Sequence, residues 1–110
     1  MTDKIVVLST CASEAEAEKL ARALVSAELA ACVNVVPQIR SFYRWKGALE
    51  TGGEFLLLIK TSRSLFDALK IEIEKLHPYE VPEVIALPIV DGSENYLNWL
   101  GQNLRDGEAE

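Results

Sequence analysis

The chain has 110 residues, and its 17 acidic side chains against 11 basic ones give a formal net charge of −6, which disfavours nucleic acid as a partner. Apolar residues make up 49%, enough for one packed domain and too many for a disordered chain. No apolar run approaches the ~18 residues of a membrane span and no signal peptide precedes Met1-Thr-Asp-Lys4, so a cytoplasmic protein with no membrane partner is expected.

The first element is a strand. Ile5-Val-Val-Leu8 is a compact run rich in β-branched residues, extending to Thr10 or Cys11. Ser13-Glu-Ala-Glu16 then reads as a capping box, with the Ser13 hydroxyl accepting from the third helical amide and Glu16 reaching back. Ala17, Leu20, Ala21, Leu24 and Val25 follow at helical spacing, which predicts a helix over 13–28.

The helical period disappears from Ala30 to Trp45. Cys32 to Val36 and Ile39 to Trp45 are rich in strand formers, with Pro37 marking an edge or a bulge between them. Gly47 and Thr51-Gly-Gly53 supply turn chemistry, and Glu54 to Lys60 is the next strand, so the two arms make a hairpin. The first arm is far longer than the usual strand of ~5–6 residues. Its overrun needs a partner, because long bare edges aggregate. That points to an oligomer.

Ser62 or Ser64 opens a second helix running to Leu76, with Leu65, Phe66, Leu69, Ile73 and Leu76 as its apolar stripe. His77-Pro78 ends it, since the residue before proline avoids helical angles. Val84 to Val90 is the last strand, placed at an edge or bulge by Pro88, and Ser93 to Leu100 forms a short third helix. The order is βαββαβ, an α+β ferredoxin-like sandwich with an extended hairpin and a short C-terminal helix. One domain is expected over 1–105, with a frayed acidic tail over 106–110.

Cys11 and Cys32 are the two cysteines and His77 is the one histidine. Two isolated thiols make neither a disulfide framework nor a four-ligand zinc site. Each is read as a small buried apolar residue, with a soft metal ligand or reactive thiol as the functional alternative. The densest polar cluster is His77-Pro-Tyr-Glu-Val-Pro-Glu83. Two prolines stiffen it, so an imidazole, a phenol and carboxylates are held in set directions. His77, Glu80 and Glu83 can ligate a divalent cation or act as acid and base. A rigid helix-to-strand connector needs the same stiffness and no ligand. Ser41, Tyr43 and Trp45 alternate along the long strand and share a face, as a ligand wall or, the reading we favour, a subunit contact. Phe42 faces the opposite way with Arg40, Arg44 and Lys46. Glu54 and Lys60 have the same parity at the ends of an apolar strand. No Walker loop, Rossmann glycine fingerprint or nucleophile elbow is present, and no enzymatic activity is expected.

Several segments together resemble one family. Leu29-Ala-Ala-Cys-Val-Asn34, Ser41-x-Tyr43-x-Trp45-x-Gly47, Glu54 with Leu57-x-Ile59-Lys-Thr61, His77-Pro-Tyr-Glu-Val-Pro-Glu83, Ala86-Leu-Pro-Ile89 and Tyr96-Leu-x-Trp99 are similar, in this order, to the CutA divalent-cation tolerance proteins. The likeness covers roughly residues 4–104. It implies a ferredoxin-like subunit in a tight homotrimer, similar in shape to PII signalling trimers, with hairpins pairing between subunits. It also implies a role in the response to metal ions, with Cu2+ or another divalent cation bound at clefts between subunits and no organic cofactor. Some members carry a cysteine at the position of Ser9 and a His-His pair at Leu76-His77. Here His77 carries over, and Cys11 lies two residues beyond Ser9. With Glu80 and Glu83 from the reading of the stiff loop, the metal candidates are His77, Glu80, Glu83 and Cys11. Tyr43, Trp45, Glu54, Lys60, Tyr79 and Cys32 are the cleft candidates. The competing readings are a PII-like sensor of a small anionic metabolite anchored by Lys60 and Arg44, and an enzyme using His77 as acid or base.

Overall fold

The computed structural model describes residues 2–106. Of the tail expected over 106–110, all but Asp106 lies outside the described residues. The first strand, β1, spans Lys4–Cys11 and leads into helix α1, Glu14–Ser26. Ser13 caps α1 as expected, its Oγ accepting from the Glu16 amide at 3.2 Å. The reciprocal half of the capping box is absent. Instead Glu16 Oε2 is buried without a partner, because the side chain lines a small cavity beside Cys11.

Strands β2, Cys32–Trp45, and β3, Ala48–Ser62, form the long hairpin. Its turn is Lys46-Gly47, with φ of 50° and 83°, the two positive values that a two-residue turn matched to strand twist requires. Trp45 pairs with Ala48 across it. Thr51, Gly52 and Gly53, expected as turn, instead lie inside β3 opposite Phe42, Ser41 and Arg40. β3 thus starts six residues before Glu54, where the strand was expected to begin. Neither Gly52 nor Gly53 has a positive φ, and their missing side chains leave open space on the strand surface. Pro37 falls in a bulge between Val36 and Ile39, where Gln38 takes a φ of 61°, so its lack of an N–H breaks no regular ladder.

A short 3₁₀ turn, Arg63–Leu65, precedes helix α2, Phe66–Leu76. Strand β4 is Ile85–Pro88, shorter than the expected 84–90, and helix α3 is Glu94–Gln102, running through Gly101. The sheet order is β2-β3-β1-β4 with every pair antiparallel. This is the ferredoxin-like arrangement, with Pro88 on an edge strand opposite Ile5. Cys11 and Cys32, on strands separated by β3, are both free thiols.

Helices α1 and α2 cover one sheet face. Val7, Leu57 and Ile59 from the sheet meet Leu24, Leu69 and Ile73 from the helices, all fully buried. The opposite face carries Val6, Leu8, Leu56 and Leu58, only half-buried, and Val36, Ile85 and Leu87, exposed. α3 lies at one end of this face, where Lys60 Nζ donates to the Tyr96 hydroxyl at 3.4 Å. The hairpin stretches the molecule to 43 Å against 26 and 25 Å in the other directions.

The register predicts opposite behaviour for two glycines. Gly47→Val should cost about 1–2 kcal/mol in chemical unfolding, because a β-branched residue resists the left-handed region. Gly52→Val should be neutral or stabilising, since strands favour β-branched residues. Equal losses at both sites would contradict the register.

Candidate functional site

The site is built around one histidine. Helix α2 stops at Leu76 because Pro78 denies His77 helical angles, and His77 takes a φ of −79° and ψ of 134°. Its backbone N–H still closes the last turn on Ile73 O at 2.8 Å. The ring turns inward and is 7% exposed. Nδ1 accepts from the Tyr79 amide at 3.1 Å, so it carries no proton. Nε2 therefore holds the proton and donates to Thr10 O at 2.7 Å. Cys11 Sγ lies 3.7 Å from the same nitrogen, as a second and weaker acceptor. Both ring nitrogens are committed to the protein's own backbone. No lone pair is left for a metal.

Cys11 lies beside the His77 ring. Burial, reinforced by Glu16 and then Glu54, pushes its thiol up to about 11, so it is protonated at neutral pH and a metal would have to displace that proton. The small cavity that it shares with Glu16, Lys19 and His77 has a volume of about 140 Å³.

Tyr79 follows on the other side of the loop. Its ring stacks obliquely on His77, with centroids 4.6 Å apart, and its hydroxyl donates to Glu54 Oε2 at 2.6 Å. Burial first, then that hydrogen bond and the Glu54 charge, hold the phenol above its usual range. A chain of contacts thus ties the end of β1 through His77 and Tyr79 to β3.

Beyond Tyr79 opens a cavity of about 510 Å³ between the loop and the hairpin. Tyr43 and Trp45 enter it from β2, Glu54 from β3, and Tyr79, Glu80 and Glu83 from the loop. These six of the ten candidates come together. Cys11 and His77 sit behind the loop. Cys32 and Lys60 do not line the cavity; they pair across the β2–β3 ladder near α3. Six residues separate Glu54 from Lys60, roughly 20 Å of strand, so shared parity put them on one face and not in one cleft. Arg44 hydrogen-bonds Gly47 O at 3.3 Å and also stays outside the lining.

Four lining residues lie outside those ten candidates: Thr10, Ser41, Phe42 and Val81. Phe42 was assigned the opposite face by alternation, yet it reaches the rim. Thr10 was visible only as the end of a strand. Among the described residues no group of three or more His, Cys, Asp and Glu side chains is close enough to hold a metal within one chain. The metal candidates divide into the His77–Cys11 pair and the Glu80–Glu83 pair.

The family model for the CutA1 divalent ion tolerance protein matches residues 5–103. The chain belongs to this CutA1 family. It is 51% identical over 98 residues to the divalent-cation tolerance protein CutA of Thermus thermophilus, covering 89% of this chain and 95% of that one. It is 52% identical over 93 residues to the human Protein CutA, covering 84% of this chain but only 52% of that longer protein. Among solved structures, CutA1 from Oryza sativa superposes with a TM-score of 0.92 at 47% identity, covering 94% of this chain and 95% of that one. No helix of the CutA1-family chain, among the described residues, is long and apolar enough to cross a membrane.

His77→Ala should destabilise the fold by about 3 kcal/mol in urea denaturation, since a buried carbonyl and a part-buried amide lose their partner at about 1–3 kcal/mol each. A loss below about 1 kcal/mol would contradict the clamp. Alkaline pH should act through Cys11. Its raised folded pKa contributes stability that is full below the ordinary value of 9.0 and lost as pH rises through about 11. Tyr79 acts in the same direction. The melting temperature should fall across that window, and Cys11→Ala should flatten part of the fall. A flat profile would contradict it.

Proposed function

We propose that this CutA-family chain acts as a homotrimer that binds Cu2+ or another divalent cation at clefts between subunits, in the response to metal ions, and catalyses no reaction. The observation that carries the reading is the charge of the large cavity. Every charged side chain in its lining, Glu54, Glu80 and Glu83, is acidic. Carboxylates accept divalent ions without first losing a proton at neutral pH, and among first-row metals Cu2+ binds such donors most strongly. Glu80 and Glu83, both exposed, are the residues that would hold the ion. Glu54 Oε2 is already engaged by Tyr79. His77 acts as the frame of the loop, since both its ring nitrogens are bonded to the backbone, and Cys11 lies behind the loop, outside the cavity lining. The same acidic lining favours a cation over an anionic metabolite.

The open sheet face supports the trimer. Val36, Ile85 and Leu87 are 37%, 49% and 48% exposed on a face whose other strands present Val6, Leu8, Leu56 and Leu58. A contiguous apolar sheet surface marks an interface. The hairpin, with Phe42 and Leu49 at 62% and 70% exposure, reaches beyond the subunit's own core. A hairpin that pairs with the neighbour's sheet makes a head-to-tail contact, and three such contacts close a ring. The free thiols suit a reducing compartment and support a cytoplasmic location. Among relatives, the Archaeoglobus fulgidus protein is described as periplasmic and the Arabidopsis thaliana protein as chloroplastic.

Light scattering should give three times the 12.2 kDa subunit mass. In calorimetry the trimer should bind Cu2+ more tightly than Zn2+ or Mn2+. Glu80→Gln with Glu83→Gln should weaken Cu2+ at least about tenfold, which corresponds to 1.4 kcal/mol. His77→Ala, if the trimer persists, should also weaken Cu2+, because it frees the loop that carries Glu80 and Glu83, but by less than the double substitution that removes the donors. A trimer with no Cu2+ binding below millimolar metal would refute the metal role.

A further inference from the structure

The cleft is larger and more aromatic than a metal ion alone requires. Its volume of about 510 Å³ lies within the roughly 300–1,000 Å³ of small-molecule pockets. Four rings, Phe42, Tyr43, Trp45 and Tyr79, line it together with carboxylates and no basic side chain. Aromatic faces carry negative electrostatic potential, and a cage of them with an acid at its rim is the chemistry that selects alkylated ammonium ions over neutral molecules of the same shape. Two of these rings already act as cation acceptors within the chain. Lys46 Nζ lies 5.7 Å from the Trp45 ring centroid, and Arg40 Cζ lies 5.2 Å from that of Phe42. Tyr79 is fixed for the same task. Its hydroxyl is spent on Glu54 at 2.6 Å, which holds the ring in place at the wall. Thr10, 8% exposed, supplies a buried polar contact in the same wall.

We propose that this cleft binds a small organic ammonium ion, with the rings of Tyr43, Trp45 and Tyr79 against the alkylated nitrogen and Glu83 supplying the opposite charge. The proposal rests on the reading that the cleft is a cation site and adds a second class of cation to it. A metal draws on the carboxylates. An alkylammonium draws chiefly on the rings, which metal ions use little. The two ligands therefore respond to different substitutions.

The test is calorimetry on the assembled protein with two probes of one shape, 2-hydroxyethyl-trimethylammonium and its uncharged carbon analogue 3,3-dimethylbutan-1-ol. The ammonium should bind at least about tenfold more tightly than the neutral analogue, the factor set by 1.4 kcal/mol. Trp45→Leu should weaken the ammonium about tenfold while leaving Cu2+ within about twofold. Trp45 is 39% exposed at the hairpin tip, and Tyr43→Leu, at 47% exposed, is the second variant should the first fail to assemble. Equal binding of the two probes, or ammonium binding that neither ring substitution changes, overturns the proposal. So does a protein that binds Cu2+ and no ammonium, and that result leaves the metal reading standing. A protein that binds the ammonium and no Cu2+ supports the proposal and removes the metal reading alone.

Discussion

The His77 ring is the joint on which the site depends. It is a buried imidazole whose two nitrogens face two backbone groups, Thr10 O, 67 residues away in sequence, on one side and the Tyr79 amide on the other. Those partners fix a single tautomer. They also fix where the loop after α2 leaves the core, and Tyr79 is then positioned to reach Glu54. Without that clamp, Pro78 and Pro82 would stiffen a loop with no defined direction. With it, Glu80, Glu83 and Tyr79 face the hairpin and close the large cavity. The histidine that the sequence offers as its most reactive side chain is thus bonded to the backbone on both nitrogens, and the groups left facing the cavity are carboxylates and rings.

A second constraint comes from the hairpin. Two arms of 14 and 15 residues in a subunit with α1 and α2 on one sheet face leave most of the other face, beyond α3 at its end, and the hairpin tip without cover. An uncovered sheet face and an open cavity both follow from this one excess of strand. The same β2 that overruns the core carries Tyr43 and Trp45 into the cleft, so a change in how the hairpins pair would reshape the site. That coupling gives a physical reason for a binding cleft near a subunit boundary rather than in the core, which is dry and filled by Leu24, Leu57, Ile59, Leu69 and Ile73.

Much of the fold was readable from residue pattern because the signals were local. Ser13 followed by helical spacing located α1, and Pro88 located an edge strand. Thr51-Gly-Gly53 misled because glycine fits a turn and a strand equally; only the pairing set by Lys46-Gly47 decides between them. Phe42 misled because strict alternation ignores the twist that carries a strand tip around the cavity. For the site, the loop and the aromatic pair were legible as segments. Their grouping was not, since Lys60 and Glu54 share a parity yet stand far apart along β3. The role of His77 was hidden most deeply, because both its partners are backbone atoms, and backbone atoms leave no mark on residue type.

On the proposed reading, cations bind at the acidic, aromatic cleft, and His77 holds the loop without binding them. A crystal soaked with copper and read at the copper absorption edge tests this directly. Anomalous density is expected beside Glu80 and Glu83, with the His77 ring still bonded to Thr10 O and the Tyr79 amide. Copper density on His77 Nε2 and Cys11 Sγ would contradict it.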